Sequence, residues 1–431
     1  MASLASTKAR PSLSIVSSIL SIPSILQRRI TRWGGLIGGV TIGLWLTSCQ
    51  GKPPVPESPP PDDRFKVGLI LVGSTSDGGW SQAHYEGVDY IARRVPEITF
   101  IYEEKVNPSD RPDITPVQAA ENLIAQGAKL IIFNSNDYQD DALTIAQNHP
   151  ELGIVHATGD YAWKEGRNYK NQPNLTNVMV KMIYGRMISG CAAALMSQTG
   201  KIGFVGSLIN DETRSLVSAT YLGAQYCWQN YRQKEAADLT FKVSWIGFWF
   251  HIPGKTLDPS QVAQTFYNTG FDVVLSGIDT PEVPTVARTV AETGKKVYFL
   301  HYTLPRGCSF APELCLGVPT YNWGSIYLRL AQAQKDGQFK GEFIWADPFW
   351  QDINDRDQSP VGFVRGQSLS PEANGFLDQF IAGLGSGKIN LYQPGLTFQD
   401  GSTFITPGTV ATPQQIWYMP QLLSGIEGAS K

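Results

Sequence analysis

The chain has 431 residues, of which 42% are hydrophobic and 17% charged, enough to bury one large core or two ordinary ones and too apolar to be disordered throughout. A formal net charge of −3 with no basic run gives no electrostatic footprint for phosphate backbones, so nucleic acid is not expected as a partner. An aromatic content of 11% supplies many ring faces, which often line pockets for flat ligands.

The segment before Trp33 is rich in serine and carries Arg10, Arg28, Arg29 and Arg32 with no acid, the charge bias of a signal n-region. The following run GGLIGGVTIGLW is too short and too glycine-rich to cross a hydrocarbon core of ~30 Å, and it reads as the h-region. Leu46-Thr47-Ser48-Cys49 then matches a bacterial lipobox, in which small residues admit a signal peptidase and the Cys49 thiol carries a diacylglyceryl thioether. An ordinary signal peptide with a chance cysteine is the alternative. Residues 1–48 are thus read as a lipoprotein signal peptide and residues 49–64 as a proline-rich linker, whose fixed φ favours an extended spacer. The expected location is the extracytoplasmic face of the cell membrane, with the lipid anchor as the membrane contact.

Without Cys49, four cysteines remain, with three possible pairings in an oxidising compartment. Cys308 and Cys315 flank SFAPEL and form a candidate disulfide. Cys191, in the small apolar segment ISGCAAALM, is expected to be a buried free thiol.

From residue 65 onward one unit is written twice. KVGLILVG at Lys66 returns as KIGFVGSL at Lys201, and both are short apolar runs of the kind that form buried parallel strands. Gly87 in HYEGVDYIA returns as Gly223 in TYLGAQYCW, and Gln118…Gly127 as Gln261…Gly270, always in the same order. Further strands are expected at GIVHAT, KVYFLHY and CLGVPTY. The fold class is therefore α/β, two doubly wound Rossmann-like lobes whose carboxyl-terminal strand ends face a shared cleft. The first lobe is assigned residues 65–180 plus about 320–365, and the second 181–319 plus part of 366–431.

The cleft loops supply the candidate ligand-binding residues. Ser74 to Gly79 form a tight turn with Asp77, which is either a ligand group or a helix cap, and Trp80 opens a helix. Asn136, Asp137 and Tyr138 follow the strand LIIF, Phe248, Trp249 and Phe250 follow another strand, and Asp279 follows DVVLSG. Aromatic rings on opposing lobes with carboxylates and amides at the edge are able to sandwich a planar heterocycle. Core packing is the competing reading for each ring, Phe248 above all. Enzyme signatures are poor: Pro253-Gly254-Lys255-Thr256 imitates the end of a phosphate-binding loop, but Trp249 stands where that loop needs glycine. No GxSxG elbow, HExxH helix or metal-site histidine spacing is present in the sequence, so neither an enzyme nor a cofactor or metal is expected.

DGGWSQAHYEG, HATG at His156 to Gly159, YGR before a small-residue helix, YLGAQ, GIDTPE, YNWG at Tyr321 to Gly324, LTFQDG and IWYMP together resemble the basic membrane protein (BMP) lipoproteins. These are purine-nucleoside-receptor-like substrate-binding components of ABC transporters. The resemblance implies a type I periplasmic-binding-protein fold with a multi-strand hinge, a purine-like nucleobase or nucleoside as ligand, and an ABC permease as partner. It matches Asp77 and Trp80 to ligand positions on the first lobe, Trp249 or Phe250 to the opposing aromatic, and Asp279 to a cleft acid. Where the family's nucleoside receptors carry a ribose-gripping aspartate and a hinge lysine, this chain has Tyr302 and Tyr321-Asn322-Trp323. That departure favours a free base over a nucleoside. A monomeric importer component is expected, with a sensory lipoprotein and a lipid-anchored hydrolase as the alternatives.

Overall fold

The computed structural model describes residues 63–431; the expected signal segment, Cys49 and nearly all of the linker lie outside the described residues. Short apolar segments form parallel strands because helices cover both of their faces. In the first lobe β1 (Phe65–Ile70), α1 (Trp80–Arg94), β2 (Ile98–Glu103), α2 (Pro116–Ala125), β3 (Ala128–Phe133), α3 (Gln139–Asn148), β4 (Gly153–Ala157) and β5 (Leu175–Val180) alternate along the chain. The second lobe repeats the pattern with α4 (Met182–Met196), β6 (Lys201–Gly206), α5 (Asp211–Asn230), β7 (Thr240–Trp245), α6 (Pro259–Asn268), β8 (Val273–Gly277), α7 (Glu282–Ala291), β9 (Tyr298–Leu300) and β10 (Cys315–Tyr321). The sheets run β5-β4-β3-β1-β2 and β10-β9-β8-β6-β7, the same order, so the duplication read in the sequence has its counterpart in the topology. Equivalent helices start alike: Thr115 caps α2 before Pro116, and Asp258 caps α6 before Pro259. They also stop alike, at Gly127 and Gly270, whose φ values of 94° and 89° suit glycine.

The chain then changes lobes. After β5 it crosses to the second lobe, where α4 packs on α5, and after β10 it returns to the first, where α8 (Gly324–Lys335) packs on α1. β11 (Phe343–Ala346) joins β5 in parallel, whereas β12 (Val361–Arg365) runs antiparallel to β10 in the second sheet. The segment 320–365, assigned whole to the first lobe from sequence, is therefore divided between the two, because its last strand completes the free edge of β10. The three crossings are tied in pairs: Lys181 N–H donates to the Ala346 carbonyl at 2.8 Å and Asn322 N–H to the Pro360 carbonyl at 2.9 Å. Beyond them, α9 (Pro371–Gly385) packs against α4, and the tail carries α10 (Pro413–Trp417) and β13 (Ile426–Glu427), which extends the second sheet beside β7.

Helices α4 and α5 touch backbone to backbone. A Cβ at Gly190 would lie 1.8 Å from the Thr220 carbonyl oxygen, and one at Gly223 would lie 1.9 Å from that of Met187. That approach brings Cys191 and Cys227 to a Cα separation of 5.1 Å, where they form a disulfide. Cys191 is thus not the free thiol expected from its small apolar surroundings; the small residues serve a helix crossing, and the crossing supplies the second thiol. Cys308 and Cys315 form the other disulfide.

Replacing Gly223 with alanine should cost at least ~1–3 kcal/mol of unfolding free energy, the scale of overpacking, because a carbonyl group cannot step aside as a side chain can. Removing the Cys191–Cys227 bridge by a double alanine substitution should cost about 2–4 kcal/mol. Urea unfolding measures both, and a Gly223→Ala loss below about 0.5 kcal/mol would show that the two helices separate freely.

Candidate ligand-binding site

A cavity lies where the carboxyl ends of the two sheets meet. The first lobe contributes Val72 after β1, Ser135 and Asn136 after β3, Thr158 after β4, and Trp80 at the start of α1. From the second lobe come Ser207 after β6, Trp245 and Trp249 around the end of β7, Asp279 after β8 and Tyr302 after β9. Arg186 of α4 and Glu212 of α5 complete the wall.

The lobes are closed on one another. His301 Nε2 donates to the Gly78 carbonyl at 3.2 Å, and Arg306 reaches Glu86 at 3.4 Å. Gly79 abuts Asp279 so closely that a Cβ there would sit 1.9 Å from the Asp279 carbonyl oxygen. The Asp279 N–H in turn donates to the Trp249 carbonyl at 2.9 Å, tying two second-lobe cleft loops together.

The sequence-derived residues divide into two groups. Trp80, Trp249, Asp279 and Tyr302 line the cavity. The Trp80 indole donates to the Asn134 carbonyl and meets Tyr321 and Trp323 edge-on, which fixes its ring. Asp77 lies outside the lining: its carboxylate accepts from the backbone amides of Gly79, Ser81 and Gln82 at 2.8 to 3.1 Å, so it caps α1. Tyr138 is buried in the first lobe with its hydroxyl on the Val106 carbonyl, and its neighbour Asn136 takes the rim position. Asp137 faces the Trp249 indole across the cleft, short of hydrogen-bonding geometry; burial raises its carboxyl and the indole opposes that rise. Phe250 packs edge-on against Phe248 with 5.0 Å between ring centroids. Asn322 braces the hinge by donating to the Ser359 carbonyl at 2.9 Å, and Trp323 stacks between His84 and Tyr321 inside the first lobe.

Arg186 and Glu212 are among the cavity residues that sequence reasoning missed, with Ser207 and Trp245. Arg186 is buried, donates to the Ser276 carbonyl at 2.8 Å and lies 3.6 Å over the Tyr302 ring. Its signal was present in the YGR motif: an arginine in a helix of small apolar residues has to be buried. Glu212 occupies the first turn of α5, where an acid is ordinary next to the helix dipole, so nothing local marks it. Burial pushes the Glu212 carboxyl up to about 7. Asp279 is driven well above its ordinary range, first by burial and then by Asp77, Glu212 and Glu282 nearby. No hydrogen bond from the described residues offsets burial at either carboxyl. The Arg186 Nε–H, the Trp249 indole N–H and the Ser207 hydroxyl also line the cavity without a protein partner. The cavity therefore offers aromatic faces together with unpaired donors and acceptors.

Two outcomes test this arrangement. In the interval from 4.5, the ordinary Glu212 value, to about 7 the folded protein holds a proton that the unfolded chain has released. Stability of the ligand-free protein should therefore fall as pH rises through that interval and level off above it, and Glu212→Gln should remove its part of the slope in urea midpoints measured against pH. Gly79→Ala should hold the lobes apart at Asp279, lowering ligand affinity in proportion to the lost closed population. Small-angle scattering would show the variant staying expanded with ligand present, and full closure with unchanged affinity would refute the contact's role.

A family model described as ABC transporter substrate-binding protein PnrA-like matches residues 65–347. A protein of Brucella abortus (strain 2308) named as purine-binding is 26% identical over 370 residues, covering 85% of this chain and 94% of its own. A protein of Haloferax volcanii, provisionally named as an ABC transporter glucose-binding protein, is 24% identical over 381 residues, covering 86% and 85%. Basic membrane protein A of Borreliella afzelii is 25% identical over 244 residues, covering 55% and 65%. Among solved structures, an ABC transporter solute-binding protein from Aeropyrum pernix K1 superimposes with a TM-score of 0.59 at 12% identity, covering 80% of this chain and 94% of that one. A transcriptional activator from Bacillus halodurans gives 0.56 at 18% identity, covering 75% and 99%, so the fold is shared beyond transport. With the family model spanning well over half of the chain, the protein belongs to the PnrA-like (Bmp) family of ABC transporter substrate-binding proteins.

Proposed function

We propose that the cleft binds a purine-like heterocycle, a free base in preference to its nucleoside, and that the closed, loaded protein presents it to the permease of an ABC importer. The observation that carries this reading is the pairing of aromatic walls, Trp80, Trp249 and Tyr302, with polar groups left unsatisfied: the Glu212 and Asp279 carboxyls, the Arg186 Nε–H and the Ser207 hydroxyl. Rings stack on the faces of a flat ligand, and a mixture of donors and acceptors suits the edge of a base, which carries both. Preference for the free base rests on Tyr302, whose hydroxyl is already shared with Tyr321 where a ribose-gripping acid would stand, and on Asn322, which is committed to the hinge. The purine-binding name of the Brucella abortus relative supports the ligand class, and the name of the Haloferax volcanii relative makes sugars the competing class to test. Lipidation at Cys49 would hold the domain at the membrane on a proline-rich spacer.

The test is a thermal-shift and calorimetric screen of residues 62–431 against bases, nucleosides, sugars and amino acids. Adenine or another free base should bind more tightly than its nucleoside. Trp249→Ala should weaken it by ~1–3 kcal/mol, the scale of base stacking on an aromatic residue, while leaving the melting temperature of the ligand-free protein close to that of the parent. Binding of sugars alone would overturn the ligand class and leave the family assignment standing.

A further inference from the structure

Glu212 and Leu216 separate the ligand cavity from a second, small space. Its remaining wall is almost wholly apolar: Met182 and Ile183 of α4, Trp345 of β11, and Trp417 of the C-terminal tail. The family model ends at residue 347, so one wall comes from a segment outside the matched region.

That wall is held from both lobes. On the first lobe Trp417 meets Trp163, Phe343 and Trp345 edge-on with ring centroids 5.2 to 5.7 Å apart, Tyr418 stacks on Trp163, and the Tyr418 hydroxyl donates to Asp160. On the second lobe Arg214, two residues after Glu212, donates to the carbonyls of Met419 at 2.7 Å and Ser430 at 3.0 Å. The Trp245 indole, itself part of the ligand cavity, donates to the Ala429 carbonyl at 2.7 Å. The tail thus positions both a ring of the ligand cavity and the helix turn that carries the partition.

We propose that this second space is a subsite for a hydrophobic substituent on the heterocycle, entered when the Glu212 side chain swings aside. The proposal rests on the purine-like reading of the main cavity. Glu212 has no hydrogen bond or ion pair with the described residues, so its rotation breaks no bond. An apolar space of this kind is poorly suited to water, which needs two to four polar partners, and only Ser215 and Glu212 on its wall carry side-chain oxygen. An alkyl group entering it recovers dispersion contacts and leaves water, worth roughly fourfold in affinity for each methylene buried.

The test is calorimetric titration with adenine and with adenines carrying methyl, butyl or benzyl groups at N6, C2, C8 or N9. At one of these positions affinity should rise with chain length, about fourfold per methylene until the space is filled. Ile183→Phe, which fills the space, should abolish that gain while leaving adenine affinity within about twofold; Trp417→Ala, which enlarges it, should extend the gain to the benzyl group. If adenine binds and no substituted form binds more tightly, the subsite is refuted and the main cavity stands. If no base binds in any form, the purine reading falls and the subsite falls with it. A chain-length gain that survives unchanged in Ile183→Phe places the substituent elsewhere and also overturns the proposal.

Discussion

The exchange of helices between the lobes is the constraint on which the remaining geometry depends. α4 leaves the first sheet and packs on α5 of the second, and α8 leaves the second sheet and packs on α1 of the first. Each crossing is tight because a glycine stands on the receiving helix: Gly223 under Met187, and Gly87 under Trp323, where a Cβ would come within 2.8 Å of the tryptophan Cβ. These two glycines are equivalent in the duplicated unit. The exchange places Arg186 at the base of the ligand cavity, and it makes the strand-to-helix passages after β5 and β10 two of the three interlobe crossings. A hinge made this way bends at short linkers while the packed helices move as parts of their lobes, the usual division between a moving joint and rigid bodies.

Most of the fold was legible because its signals are local and repeated. Strand cores such as VGLILV and IGFVG are continuous apolar runs, helices α2 and α6 start with a capping residue before proline, and both end at glycine. Agreement of pattern, caps and turns in two copies is what specifies a single topology. The destination of residues 361–365 was not legible, because an edge strand is chosen by which sheet offers an unpaired edge, and that is a property of the assembled lobe. Cys191 was misread for a related reason: the same small residues make a helix face look ready for burial and allow the close crossing that brings Cys227 beside it.

At the site, residue type foretold the chemistry better than position did. Trp80 and Trp249 sit beside turns at strand ends and reach the cavity. Asp77 occupies an equally suitable place, yet three backbone amides use up its acceptors, which distinguishes a cap from a ligand group. Glu212 shows the reverse case, an acid that looks like routine helix-end chemistry and proves to stand, half-buried, at the junction of two cavities. What separates the two is the count of satisfied hydrogen bonds, a quantity that a sequence does not carry.

The disulfide between Cys191 and Cys227 acquires a different meaning beside the ligand cavity. Arg186 lies five residues before one cysteine on α4, and Glu212 opens the helix that carries the other. The bond therefore locks α4 to α5, the two helices that carry a cation and an acid of one cavity wall. Both helices belong to the second lobe, so their mutual setting does not depend on how the lobes stand to one another, while the Glu212 side chain stays free to turn. Oxidation of this cysteine pair thus secures one wall of the cavity independently of the opposing wall, which holds Trp80 and comes from the other lobe.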